Sequence, residues 1–355
     1  MNIRKIIAFL LVIASFAGVL AGCGGAPADA SMPTQQTTVQ TEPKETKREV
    51  TVVGDQLCHM TYNIAGSNTL ERIPNFDLNA NKRSNIKKVI EQIDPDTFGI
   101  QEAPQAWIEG MVGLLDNKYT MVGGYSEEIG VNEKFWYNPL YYKTDKFTCV
   151  DSGVMFLNET FKFNKNNRNC AYALLERIAD GELILLLSLH LEHRALGTND
   201  LQTYNYTTYY EKTSDRNILR DHQVESLIQI ISMKLEEYGK TYNQEISVIV
   251  SGDFNINAWD DDEFEHEFTR LKESFAGVNM YDSVGQAAEV ITNQSKAEWK
   301  SYRDYFSTES PNARLDYIFV TNNLSVDSFN VFDTPYDIGD SSDHHPAFIR
   351  YHIGH

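Results

Sequence analysis

Short apolar runs alternate along the chain with a few longer amphipathic stretches, and polar turn residues bound most of them. Runs rich in β-branched and aromatic residues predict strands over Gln56–Tyr62, Thr97–Gln101, Leu140–Lys143, Phe147–Val150, Cys170–Ile178, Glu182–His190 and Glu245–Ser251. Further strands are predicted over Leu315–Val320, Ser325–Val331 and Pro346–His352. Helical spacing predicts helices over Lys82–Gln92, Ala103–Leu115 and, most clearly, Arg216–Tyr238. In the last, Ile218, Leu219, Val224, Leu227, Ile228, Ile231 and Leu235 recur on one face with charges between them. Strands outnumber helices, and Leu140–Lys143 leads into Phe147–Val150 as a hairpin. The pattern therefore predicts an α/β fold of two mixed β-sheets packed face to face, with helices outside.

The first residues do not belong to that pattern. Arg4 and Lys5 precede an apolar run from Ile6 to Leu20, and Leu20-Ala21-Gly22-Cys23 ends it with small residues. The run falls short of the about 20 residues a membrane helix takes. It resembles a bacterial lipoprotein signal over residues 1–22, with Cys23 as the lipidated first residue of the mature chain. Acyl chains on Cys23 imply anchoring on the outer face of a cell membrane, at about 0.8 kcal/mol per buried methylene. Residues 23–49 are rich in Ala, Pro, Thr, Gln, Lys and Glu without apolar periodicity, which reads as a flexible tether. Residues 50–355 contain no second linker and no internal repeat, so one domain is expected there.

A net charge of −19 argues against binding nucleic acid by bulk charge, although local cations and a bound metal can still collect phosphate on an acidic protein. Besides Cys23 the chain has Cys58, Cys149 and Cys170. Cys149 and Cys170 fall on consecutive predicted strands and a pairing between them is open; three small buried hydrophobes is the plainer expectation.

Polar residues sit where the predicted strands end. Asn63, Glu102, His190 and Asp253 fall at or just past the C-terminal ends of theirs, whereas Asp316 and His344 fall near the N-terminal ends. If the last strands run antiparallel to the earlier ones, all six meet on one rim, as residues of a site do. Asp253 and Asn255 are two apart, so on an extended chain their side chains point the same way. Carboxylate and amide oxygens suit a hard cation such as Mg²⁺, and a neutral imidazole can take a proton from water. That is the chemistry of attack on a phosphate ester.

Read in order, Tyr62-Asn63, Gln101-Glu102, His190, Gly252-Asp253-Phe254-Asn255, Arg314-Leu315-Asp316-Tyr317 and Ser342-Asp343-His344-His345-Pro346 resemble the motifs of the endonuclease/exonuclease/phosphatase family. The resemblance spans about residues 56–352. It implies a four-layer α/β sandwich of the deoxyribonuclease I kind that hydrolyses phosphoesters with a divalent metal, usually Mg²⁺, with Mn²⁺ or Ca²⁺ as alternatives. It further implies that Glu102 is the principal metal ligand, with Asn63 and Asp343 beside it. His344 becomes the catalytic histidine, its tautomer fixed by Asp316. Asp253 orients the water or the metal, and Asn255, Asn63 and Arg168 address phosphoryl oxygens. His190 contacts phosphate or protonates the leaving group. His193 and His345 read as structural. Members commonly carry Glu-Tyr-Asn/Ser-Pro before the strand at Leu140; this chain has Trp136-Tyr137-Asn138-Pro139, which removes the usual partner of His190.

The substrate is not written in these motifs. A nuclease acting on a phosphodiester is the first expectation, and a sphingomyelinase, phospholipid or inositol-phosphate activity the alternative. A rival of another class is a non-catalytic binding scaffold, whose mark would be missing ligands. The tyrosine-rich stretch Arg194–Ser214 is expected to overhang the site, and the protein to be a monomer.

Overall fold

The computed structural model describes residues 52–65, 81–103, 111, 115, 118–123, 138–157, 168–192, 218–258, 266–292, 301, 313–332 and 342–354. All lie within the unit Glu45–His355. The expected signal and tether with Cys23, most of the expected helix Ala103–Leu115, Trp136, His193 and the stretch Arg194–Ser214 lie outside them.

Among the described residues the strands are β1 (Val52–Asn63), β2 (Thr97–Gln101), β3 (Tyr119–Val122), β4 (Leu140–Lys143), β5 (Phe147–Phe156), β6 (Asn169–Arg177) and β7 (Leu183–His190). They continue with β8 (Ser247–Asp253), β9 (Met280–Asp282), β10 (Glu289–Thr292), β11 (Asp316–Thr321), β12 (Leu324–Val331) and β13 (Ala347–Gly354). The helices are α1 (Asn81–Ile93), α2 (Ile218–Tyr242), α3 (Glu267–Ala276) and the single turn α4 (Ser283–Gln286). Two sheets result, one in the order β10-β12-β13-β1-β2-β4-β3 and the other in the order β5-β6-β7-β8-β11-β9.

Three apolar clusters separate four layers. One cluster holds α1 through Ile86, Val89, Ile90 and Ile93 against Met60, Phe98 and Ile100 of the first sheet. A second lies between the sheets, with Leu57, Ile349 and Tyr351 facing Ile184, Leu186, Ile249 and Ile318. A third seats α2 and α3 on the second sheet. Val224, Leu227 and Ile231 form the buried stripe of α2, at about 1.5–3 kcal/mol for each side chain removed from water. Parallel β1 and β2 are spanned by α1, and parallel β7 and β8 by α2. β7 reads Leu-Ile-Leu-Leu-Leu-Ser-Leu-His and is buried throughout, as a central strand covered on both faces must be.

Several expectations change in detail. The strand expected to stop at Val150 runs on to Phe156, past an irregularity between Cys149 and Asp151 that lets an exposed edge residue interrupt the pattern. The same register sets Cys149 opposite Leu175 and Cys170 opposite Met155, so the two thiols are offset along the ladder; Cys58, Cys149 and Cys170 are all free. β3, β9, β10, α3 and α4 are not among the elements the sequence pattern predicts; all but α3, which buries Leu271 and Phe275, are three to four residues long.

The turn at the end of β8 shows how one motif serves two layers. Asp253 points between the sheets, and Phe254 points the other way, into rings of Phe275, Tyr317 and Phe319 at centroid distances of 6.0, 5.4 and 5.6 Å. Gly252 lies opposite Leu189 across the parallel ladder. A Cβ on Gly252 would meet the Leu189 carbonyl oxygen at 2.0 Å, a backbone atom that cannot swing aside. Gly252→Ala should therefore lower stability by about 3 kcal/mol. Urea denaturation checks this, and an unchanged midpoint would contradict the close approach.

Candidate active site

Register brings the expected residues to one rim. β11 runs antiparallel to β8 with Asp316 opposite Asp253, and His190 lies beside Asp253 across the parallel β7–β8 ladder. On the other sheet β13 runs antiparallel to β1, so the segment before Ala347, with Asp343 and His344, adjoins the end of β1 at Asn63. Gln101 lies beside Asn63. The second sheet thus contributes His190, Asp253 and Asp316. The first contributes Asn63, Glu102, Asp343 and His344.

The two groups meet on one oxygen. Asn63 Nδ2 donates to Asp253 Oδ2 at 2.9 Å, and His190 Nε2 and His344 Nε2 lie 3.4 and 3.6 Å from that same atom. Behind it, His344 Nδ1 donates to Asp316 Oδ2 at 2.8 Å, which leaves Nε2 facing the pocket. Asn63 cannot be flipped without loss: its Oδ1 accepts from the Ala65 amide at 2.9 Å, while Nδ2 also reaches Glu102 Oε1 at 3.4 Å.

Glu102 arrives by a backbone turn. Gln101 points between the sheets, so simple alternation would send the next side chain to the opposite face. Instead Glu102 adopts φ 57, in the left-handed region, and its carboxylate meets Asn63. Asn255, two residues after Asp253, is also left-handed at φ 52, and the Asp253 Oδ1 accepts its amide at 2.8 Å. Non-glycine residues hold such conformations at a cost of roughly 1–3 kcal/mol, and they cluster at functional sites.

Residues without a role in the sequence reading fix the pocket from behind. Ser301 Oγ accepts the amides of Leu315 and Asp316, both at 3.0 Å, while its own carbonyl accepts the His345 amide at 2.7 Å. It thereby ties the Asp316 strand to the His344 segment. Ser342 Oγ donates to the Asn63 carbonyl at 2.6 Å and accepts the His344 amide at 3.1 Å. The Lys82 ammonium, buried at the start of α1, donates to the Ala65 carbonyl at 2.6 Å. Nothing around Ser301 or Lys82 distinguishes them in sequence from ordinary polar positions. Arg314 makes a buried two-point ion pair with Asp282, at 2.6 Å on each arm, and stacks 4.4 Å over Tyr317.

The pocket concentrates negative charge in a dry place. Burial pushes the Asp253 carboxyl up to about 7; the His344 charge opposes this and Asp316 reinforces it. Burial alone would pull His344 down, but Asp316 and Asp253 beside it outweigh burial and raise it to about 10. Burial raises Asp343, with His344 opposing and the Glu102 charge adding. Burial lowers Lys82 to about 7, with Asp343 and Glu102 pulling it back up.

Among the described residues no three His, Cys, Asp or Glu side chains are grouped closely enough to hold a metal ion by themselves. Glu102 and Asp343 instead stand as a pair of hard oxygen donors, with the Glu102 charge raising the cost of ionising Asp343. A small divalent cation held by them would relieve that repulsion, with water supplying its remaining oxygens, so the residues present fit such an ion.

Two expected phosphate-binding residues are otherwise engaged. Asn255 Nδ2 donates to the Leu191 carbonyl at 3.0 Å. Arg168 lies on the flank, its guanidinium 3.4 Å from Glu192, two residues beyond His190. Neither is drawn to the oxygen of Asp253 on which Asn63 and the two histidines converge. His345 is buried and anchored through its amide to Ser301, in keeping with a structural part.

A family model described as the endonuclease/exonuclease/phosphatase family matches residues 60–344. Among solved structures, a family protein from Bacteroides thetaiotaomicron is 19% identical, with 85% of this chain and 99% of that chain covered and a TM-score of 0.62. A mannosyl-6-phosphatase from the same organism is 19% identical over 83% of this chain and 99% of that chain, at a TM-score of 0.59. D. rerio TDP2 complexed with a single-strand DNA product is 14% identical over 84% of this chain and 100% of that chain, at 0.54. At such identities the likeness shows the fold, the deoxyribonuclease I-like sandwich that the motifs had led us to expect. Among curated proteins, none matches this chain.

Replacing Arg314 with Met should strip Asp282 of its partner and leave a buried carboxylate uncompensated, at a cost of about 3–5 kcal/mol. The urea midpoint measures it; a variant as stable as the parent would show that the pair does not hold the start of β11.

Proposed function

We propose, on the premise that this chain belongs to the endonuclease/exonuclease/phosphatase family, that it is a divalent-metal-dependent phosphoesterase cutting phosphodiesters in the manner of a nuclease. Members of the family are hydrolases of phosphoester bonds. The observation that carries the reading is the convergence of Asn63, His190 and His344 on one Asp253 oxygen, with Asp316 behind His344. It is an arrangement for placing a water and moving its proton.

Glu102 and Asp343, with Asn63 beside them, would hold the cation, which when bound neutralises charge on a phosphoryl oxygen. Asp253 orients the attacking water and takes its proton as the water oxygen bonds to phosphorus, beside the charged His344. Asp316 keeps the His344 ring turned so that Nε2 faces the water and supports its positive charge. Asn63 and His190 hold the non-bridging oxygens, and His190 is placed to protonate the ester oxygen that departs. Asn255 and Arg168 stay at the rim with the Leu191 carbonyl and Glu192 as their partners and take no part in this step. Positioned proton transfer contributes typically 10²–10⁴-fold.

A neighbour bound to a DNA product supports the nuclease reading. A sugar-phosphate monoester is the second reading, favoured by the mannosyl-6-phosphatase neighbour. Plasmid DNA, RNA, sphingomyelin, inositol phosphates and mannose 6-phosphate, each assayed with Mg²⁺ and with chelator, separate these. His344→Ala should lower kcat/KM by about 10³-fold or more with an unchanged circular-dichroism spectrum. Turnover at the parental rate by pure His344→Ala protein would refute the assignment.

In this proposal residues 1–22 are a lipoprotein signal and acyl chains on Cys23 anchor the enzyme, as a monomer, to the outer face of a bacterial membrane. Cys23→Ala should release it from membranes into the soluble fraction. Continued membrane retention of that variant would defeat the anchor.

A further inference from the structure

The candidate pocket is assembled across two sheets, so its geometry depends on how one sheet is offset against the other. Below the rim, the layer between the sheets is not uniformly apolar. Strand alternation puts His59, Thr61 and Asn63 of β1 on the inward face, with Thr97, Gly99 and Gln101 of β2, and Ser251 and Asp253 of β8. His59, Thr61, Thr97, Gln101, Ser188 and Ser251 are all without solvent exposure. They form a polar seam descending from the pocket into the surrounding core of Leu, Ile and Val.

The seam crosses the interface at two levels. Just under the pocket, Gln101 Nε2 donates to Ser188 Oγ on the opposite sheet at 3.2 Å, and Thr61 Oγ1 donates to Gln101 Oε1 at 3.2 Å. One layer deeper, His59 Nδ1 lies 2.8 Å from Thr97 Oγ1 on its own sheet and His59 Nε2 lies 2.9 Å from Ser251 Oγ on the other. The sheets approach closely here: a Cβ on Gly99 would sit 2.6 Å from Ser188 Oγ. Burial drives the His59 ring down to about 3, so it stays neutral, one nitrogen donating and the other accepting.

Stability alone does not call for this arrangement. Apolar groups of the same shape in place of both partners of a buried hydrogen bond are nearly neutral or stabilising. What hydrogen bonds add is direction and distance. A Leu against a Val tolerates a slide that a His between two hydroxyls does not. Ser251 is two residues from Asp253, and His59 is four from Asn63, on the same faces of the same strands. Offset fixed at His59 is therefore offset fixed at the Asn63–Asp253 contact.

We propose that His59, bridging Thr97 and Ser251, is a positioning residue that locks the offset of the two sheets and so holds the halves of the catalytic pocket in register. The proposal rests on the phosphoesterase reading of that pocket. The test compares His59→Gln, which keeps a polar bridge, with the triple variant His59→Leu, Thr97→Val, Ser251→Ala, which removes the three bridging groups together. The triple variant should unfold at the parental urea midpoint, yet lose about tenfold or more in kcat with KM within about twofold. His59→Gln should recover most of the loss. A triple variant with parental kcat would overturn the proposal, as would a loss that merely tracks lowered stability. If the triple variant does not fold, His59→Leu alone decides by the same kcat and KM comparison. Nitrogen-15 spectra of the histidine side chains give a readout independent of turnover: the His344 Nδ1 proton, bonded to Asp316, should shift in the triple variant. Were the parent inactive on every ester, the phosphoesterase reading would fail, and a shifted His344 signal would still support the lock while an unchanged one would refute it.

Discussion

The hydrogen bond from Asn63 Nδ2 to Asp253 Oδ2 is the contact on which the rest of the molecule depends. It joins the two sheets at the rim, and without it the oxygen at the centre of the pocket would lose its shortest donor. Asp253 and Asp316 face each other across neighbouring strands, both buried. Two carboxylates so placed repel strongly in a low-dielectric interior. The fold tolerates them because His344 sits between, 2.8 Å from one and 3.6 Å from the other, and because Asn63 donates from the facing sheet. Remove the register of the sheets and each acid becomes an uncompensated charge.

That constraint explains how the supports are laid out. Ser301, Ser342 and Lys82 bond backbone around the site: Ser301 ties the start of β11 to the His344 segment, Ser342 ties that segment to the end of β1, and Lys82 ties the start of α1 to the chain after β1. Together with Ala65, they determine which way Asn63 presents its amide. Tyr317 extends the same logic outward: its hydroxyl lies 2.6 Å from the carbonyl of Ile256 and 3.0 Å from that of Arg314 and shares its one proton between them, binding the turn after Asp253 to the start of β11. Rigidity at the rim is thus built from short local bonds rather than from the apolar core beneath it.

The sequence made much of this legible, for a reason that is itself physical. Central strands such as β2 and β7 are apolar runs that stop where a polar group must leave the core, so the boundary and the candidate site residue are one signal. Thr97–Gln101 and Leu140–Lys143 were read with the bounds they have. The meeting of six residues on one rim needed the strand directions as well, and period-2 alternation carries no direction. Only pairing supplies it, through β8 against β11 and β1 against β13. Ser301 and Lys82 were invisible because a serine or lysine that bonds backbone has no pattern to announce it. Arg168 shows the opposite limit: its place before β6 was readable, but its pairing with Glu192 depends on a strand that comes later in the chain.

The left-handed residues complete the argument. Glu102 directly follows a strand residue that already points between the sheets, Gln101. An extended chain offers the next inward position two residues later, about 6–7 Å further along and beyond the rim. Turning at once through a positive φ brings Glu102 back to the Asn63 amide, while Asn255, two residues past Asp253, takes its positive φ as it closes onto the carbonyl of Leu191. The unfavourable conformation is sustained by those bonds. It follows that a strand end carrying consecutive inward polar groups must depart from β geometry, and a polar pair such as Gln-Glu after an apolar run marks where the backbone is under load. At this rim left-handed residues stand after three strand ends, Ala65 after β1, Glu102 after β2 and Asn255 after β8.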